Sequence, residues 1–134
     1  MLELKSRPHI GAVGELVLQV ETKHAIDFAT GGMPAVLATP HLVGLLERTA
    51  REALAAFRDE NERTVGIEIE LKHLAPTPVG ATIRCLARVI RVDGREISFQ
   101  VEASDAHEMI ARGLHTRRVV RVESFNRRVA EKKS

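Results

Sequence analysis

Thr39-Pro40-His41-Leu42-Val43-Gly44-Leu45-Leu46-Glu47-Arg48-Thr49-Ala50-Arg51-Glu52-Ala53-Leu54-Ala55-Ala56-Phe57-Arg58 repeats its apolar residues at the helical period. At 100° per residue, Leu42, Val43, Leu45, Leu46, Thr49, Ala50, Ala53, Leu54, Ala56 and Phe57 fall on one half of the wheel. Gly44, Arg48, Arg51 and Ala55 fall opposite. The pattern predicts a helix over about residues 40–58 with one buried face. Thr39 is placed to cap its free N–H groups, and Pro40, with its preset φ, suits the first helical position.

Outward from this helix the period changes. Asp59 to Arg63 is a charged connection, and Val65, Ile67, Ile69 and Leu71 then alternate with Glu68, Glu70 and Lys72, predicting a half-buried strand. His73 continues the apolar parity to the strand end, before the loop Ala75-Pro76-Thr77-Pro78-Val79-Gly80. A second strand covers 81–92, its phase slipping at Val89-Ile90 as a bulge would make it. Asp93-Gly94 reads as a hairpin turn into Ile97, Phe99, Val101 and Ala103. A turn at 104–106 leads to a last strand over about 107–122. Before the helix, Gly14 to Val20 is β-prone, and Gly31-Gly32 and Pro34 make 21–36 a loop or short irregular helix. One long helix among short-connected strands implies an α+β fold, the helix packed on an antiparallel sheet. Because one helix covers only part of a sheet face, an edge strand is expected to pair with a second copy, giving a homodimer or a higher assembly built on it.

Composition bounds the rest. The 134 residues are 44% hydrophobic and 28% charged, with 20 Lys+Arg against 18 Asp+Glu, the profile of a single domain over 1–134. Its core is expected over about 12–122, followed by a basic, frayed tail at 123–134. Nowhere do 18 apolar residues run consecutively, and Met1-Leu2-Glu3-Leu4-Lys5 lacks the features of a signal peptide, so no membrane association and a cytoplasmic location are expected. Cys85 is the sole cysteine, which excludes an internal disulfide and a Cys-based zinc site. No Trp or Tyr and only four Phe leave little for base stacking, so nucleic acid is not an expected partner. Residues 112–134 carry eight Lys/Arg against two Glu, whereas residues 1–111 carry 12 against 16. The basic segment is either a solvated strand end and tail or a landing site for a polyanion such as the phosphates of a nucleotide-containing carrier.

Three residues could carry chemistry, each with a plainer alternative. Thr39 is either a cap or a hydroxyl that helps hold a polarised carbonyl beside helix N–H donors. Glu47 lies at the rim of the apolar face, where it is either solvated or a general base. His73, on the core face at a strand end, either bonds a carbonyl or works as an acid or base. Eight residues separate Thr39 and Glu47, roughly 12 Å along a helix, so they cannot touch. His41 and His115 show no ligand spacing, and His9, His24 and His107 fall in loops or turns. No metal pattern, P-loop, dinucleotide fingerprint or nucleophile elbow occurs, and no metal or cofactor is expected.

As a set these residues become familiar. Pro34-Ala35-Val36-Leu37-Ala38-Thr39-Pro40 opening a helix with Glu47, then Gly66 in a strand ending at His73, then the 75–80 loop, resembles the fluoroacetyl-CoA thioesterase-like branch of the hotdog-fold superfamily over about residues 12–122. The resemblance implies a dimeric hotdog fold with Thr39, Glu47 and His73 in catalysis. Gly66, Met33, Pro40, Arg117 and Arg118 are the candidate substrate contacts, with either the two arginines or the basic tail open to the CoA phosphates. The implied reaction is hydrolysis of an acyl-CoA thioester, with CoA entering as part of the substrate; the alternative is a noncatalytic acyl-CoA binding module. Where the fluoroacetyl-specific member has lid phenylalanines, this chain has Thr30, Gly31, Gly32 and Met33 with Phe28 the sole nearby aromatic, which favours another small or medium acyl group.

Overall fold

The alternation read in the second half of the chain becomes one five-stranded antiparallel sheet. The computed structural model describes residues 7–26, 31–57 and 59–133. In chain order these form β1 (Val13–Gln19), a 3₁₀ turn (Thr22–His24), α1 (Thr39–Leu54), β2 (Glu62–His73), β3 (Thr82–Asp93), β4 (Glu96–Ser104), β5 (Met109–Arg121) and α2 (Val122–Glu131). The sheet order is β1-β3-β4-β5-β2, so β1 and β2 are its edges. The expected helix end at Arg58, the lid positions Phe28 and Thr30, and the opening residues 1–6 lie outside the described residues.

The buried stripe of α1 is the one its sequence dictates: Leu42, Leu45, Leu46, Thr49, Ala50, Ala53 and Leu54 are buried. They pack on Ile83, Cys85, Ala87 and Val89 of β3 and Ile97, Phe99 and Val101 of β4. Fully burying each large side chain contributes about 1.5–3 kcal/mol. Thr49 is tolerated in this stripe because its hydroxyl donates to the Leu45 carbonyl at 2.7 Å, one turn back. Cys85 is a fully buried small hydrophobe, its thiol pushed up to about 11 by burial.

Two strand irregularities matter. The slip at Val89-Ile90 is a bulge, the pairing of β3 with β4 shifting between Val89 and Arg91. A second, unanticipated shift lies between Gly66 and Glu68 in the pairing of β2 with β5. The continuous phase read from Val65 to Leu71 is therefore wrong at its start. Ahead of Ile67 it is Thr64 and Gly66 that face α1, and Val65 faces the outer side of the sheet. The hairpin between β3 and β4 turns at Gly94, whose φ of +60° fits the first position of a type II′ turn. Asp105 accepts the His107 and Glu108 N–H groups at 2.8 and 2.9 Å, closing the β4–β5 turn.

The tail is not frayed. Val122 donates to the Asn61 carbonyl at 2.9 Å and starts α2, in which Val122, Phe125 and Val129 recur at helical spacing. Glu123 in its first turn and Arg128 in its last match the helix dipole.

Two glycines separate backbone contact from open space. A Cβ at Gly14 would meet the Thr49 carbonyl and the Ala53 backbone of α1, whereas one at Gly44 on α1 meets nothing within 4 Å. Gly14→Ala is expected to lower the unfolding free energy by about 3 kcal/mol. Gly44→Ala should raise it by about 1 kcal/mol. Urea denaturation of the two variants reads both signs.

Candidate active site

The segment entering α1 is pinned on both sides before the helix begins. Leu37 donates to the Thr77 carbonyl and Ala38 to the His24 carbonyl, each at 2.8 Å. The first helical bond runs from the Leu42 N–H to the Ala38 carbonyl at 3.0 Å, which makes Ala38 the N-cap. Thr39 is thus not the cap it was expected to be, and Pro40 falls at the second helical position rather than the first. Released from capping, the Thr39 hydroxyl sits 2.8 Å from Nδ1 of His73, at the last residue of β2. Ile26, Val36, Leu37, Leu74, Ala75 and Pro76 surround this pair as an apolar groove of about 330 Å³. Burial holds the His73 pKa below 6.5, partly offset by the Ala75 backbone, and its Nε2 is buried without a hydrogen-bond partner. Burial thus favours the neutral imidazole, with Nδ1 on Thr39.

A second cluster lies two turns along α1. Glu47, 35% exposed, faces Gly66 and receives Nη1 of Arg117 at 3.4 Å. Arg117 is 2% exposed despite its charge, and its other donors are spent on β2: Nε on the Thr64 hydroxyl at 2.9 Å and Nη2 on the Thr64 carbonyl at 2.8 Å. His115 Nδ1 donates to the Glu68 carbonyl at 2.8 Å and its Nε2 accepts from Arg117 Nη1 at 3.2 Å. That pattern requires a neutral ring protonated on Nδ1. Burial and the neighbouring guanidinium lower its pKa, against the opposing pull of the Glu68 backbone and Glu47. Phe99 stacks on the same ring with centroids 6.1 Å apart.

The chain therefore joins Thr39 to His73 and Glu47 to Gly66 and Arg117, as two clusters separated by roughly 12 Å of helix. Arg117 and Arg118 point to opposite faces of β5: Arg117 toward α1, Arg118 outward to Glu96 at 2.6 Å. Met33 is 58% exposed and Pro40 is exposed, and neither lines the groove at His73. His115 and Thr64 were missed. Their signal was parity, since Ala111, Gly113, His115, Arg117 and Val119 share one phase of β5 and a polar residue in a core phase needs a partner. Among the described residues no three His, Cys, Asp or Glu side chains converge as a metal site requires.

A long helix laid on a five-stranded antiparallel sheet is the architecture of the hotdog fold. The model of the family described as fluoroacetyl-CoA-specific thioesterase matches residues 20–123. The fluoroacetyl-CoA thioesterase of Streptantibioticus cattleyicolor is 37% identical over 99 residues, 74% of this chain and 71% of that one. A solved structure of a fluoroacetyl-CoA thioesterase superposes with a TM-score of 0.85 at 30% identity, covering 92% of this chain and 96% of the other. A hot-dog-like protein from Thermanaerovibrio acidaminovorans superposes with a TM-score of 0.85 at 25% identity, covering 93% of each chain. The chain belongs to the fluoroacetyl-CoA-specific thioesterase family, and its reaction is acyl-CoA thioester hydrolysis.

A Cβ at Gly66 would collide with the Glu47 carboxylate and crowd the His115 ring. Because the carboxylate is the flexible end of a side chain, Gly66→Ala should leave the fold intact and displace Glu47, lowering kcat/KM about 100-fold. Steady-state kinetics beside a thermal melt checks this; an unchanged rate would show that the placement of Glu47 is not critical.

Proposed function

We propose that this protein hydrolyses CoA thioesters of a small or medium acyl group at a site shared between two protomers, with Thr39, Glu47 and His73 as its catalytic residues. The observation that carries the proposal is the Thr39–His73 hydrogen bond of 2.8 Å inside an apolar groove, with the Glu47 carboxylate too far along the same helix to join it. A two-fold pairing of β2 edges closes that gap. β2 is a twelve-residue edge strand, and a long open edge calls for a partner. A two-fold axis near Ile69 and Glu70 sets Gly66 of one protomer opposite His73 of the partner subunit. Glu47 and Gly66 then face the Thr39–His73 pair of the other protomer across one pocket.

In this arrangement a neutral His73 protonated on Nδ1 donates to Thr39 Oγ1. The hydroxyl proton is thereby free to point at the thioester oxygen, where negative charge develops, with the Gly66 N–H as a second donor. Glu47 either draws a proton from the attacking water or adds to the carbonyl carbon itself. The C–S bond then breaks, and the departing thiolate, with a pKa near that of cysteine, needs little protonation help. Water supplies the oxygen of the product acid, and its remaining proton balances the free thiol. Arg117, enclosed by Thr64, His115 and Glu47, holds the carboxylate in place. The fluoroacetyl group in the relatives' names does not carry over, because the lid aromatics that the resemblance calls for are absent from the 30–33 stretch.

Thiol release from acyl-CoAs ranging from acetyl to long-chain and aryl tests this reading. One class of short or medium esters is expected to turn over, with His73→Ala and Glu47→Ala each reducing kcat by two or more orders of magnitude. Because catalysis uses neutral His73, kcat/KM should be flat above pH 6.5 and fall on acidification with an apparent pKa below 6.5. Binding of CoA esters without thiol release would overturn the catalytic assignment and leave a binding module.

A further inference from the structure

The outer face of the sheet, away from α1, carries a cavity that the catalytic reading does not use. It is a half-open pocket of about 510 Å³ formed where α2 lies beside β5, with Val65 of β2 in its lining. Its apolar surface comes from Val65, Val120 and Phe125, and four arginines from three parts of the chain line it: Arg95 of the β3–β4 turn, Arg118 and Arg121 of β5, and Arg128 of α2. Only Arg118 is neutralised, by Glu96. Among the described residues Arg95, Arg121 and Arg128 make no ion pair. The surrounding segment, 112–134, holds eight Lys/Arg and two Glu, so the field there draws anions while the remainder of the chain is net acidic. Phe125 is 41% exposed, leaving an aromatic surface beside the guanidinium groups.

We propose that this cavity is a binding site for the phosphorylated end of a nucleotide, the arginines taking the phosphates and Phe125 with the valine floor taking the planar base. Arginine suits this role because its planar fork bonds phosphate oxygens bidentately, and a base stacks on an aromatic face without sequence readout. One chemistry has two sources here: the adenosine bisphosphate end of CoA itself, or a free nucleotide bound apart from the substrate. The cavity's occupancy is independent of the catalytic reading; only the choice between the two sources rests on it.

The probe is adenosine 3′,5′-bisphosphate, titrated calorimetrically into the full chain. One equivalent per chain is expected to bind, with affinity falling at least tenfold in Arg121→Glu/Arg128→Glu. Lys132→Glu/Lys133→Glu alters the net charge equally beyond the cavity lining and should retain binding within about twofold. Circular dichroism of both variants confirms that α2 persists. No binding, or equal weakening by both variants, would overturn the proposal in favour of a diffuse basic surface. Kinetics then identify the source. A raised KM for acyl-CoA but not for the matching acyl-pantetheine in the Arg121/Arg128 variant assigns the site to the substrate's own nucleotide. Unchanged KM values for both, with bisphosphate binding lost, assign it to a separate nucleotide.

Discussion

The single extra residue at Ile67 organises the chemistry of this molecule. Gly66 and His73 are seven positions apart, and in an unbroken strand an odd separation places them on opposite faces. The shift of pairing between Gly66 and Glu68 reverses the phase, so Gly66 opens toward Glu47 while His73 reaches Thr39, both on α1. The same shift presents the Glu68 carbonyl to His115, which fixes that ring's tautomer and turns its second nitrogen to Arg117. Bulges re-aim side chains at sheet edges and beside active sites, and this one does both.

The buried arginine is the second constraint. Arg117 is almost wholly removed from water, and an isolated buried charge is costly unless fully bonded. Thr64 answers two of its donors and His115 and Glu47 share the third, so each polar group in the cluster is held by the needs of the others. The buried guanidinium thereby gives the half-buried Glu47 carboxylate a fixed charge to face, at 3.4 Å. Among the described residues no similar network reaches the Thr39–His73 pair, and the open β2 edge lies between the two clusters. Among the described residues no helix is long and apolar enough to cross a membrane.

How much of this was legible in the sequence depends on which residues broke a pattern. The helix was readable because its apolar face is continuous from Leu42 to Leu54, and the Ile90 bulge because Val89-Ile90 interrupts an alternation. Ile67 broke nothing: Val65, Ile67, Ile69 and Leu71 alternate without a fault, so the phase reversal is visible only in the pairing with β5. Thr39 and Pro40 mimic a standard helix start, and only the backbone shows Ala38 taking the cap. Thr39, Glu47 and His73 drew attention through the family's spacing, whereas His115 and Thr64 act through contacts 47 to 53 residues distant in sequence. The last helix was hidden by its charge, three apolar residues at helical spacing among three Lys/Arg and two Glu over 122–132.

In the proposed dimer the two clusters separated within one chain act as one site across a two-fold axis. Mixing Glu47→Ala and His73→Ala chains, each inactive alone, tests it most directly through the activity of the hybrid dimers. Glu47 of one protomer working with His73 of its partner leaves one complete site in each hybrid, so substantial thiol release should return, up to half the wild-type activity per hybrid dimer. A mixture whose chains are shown to exchange but which stays inactive would contradict the account and place the whole site within one chain.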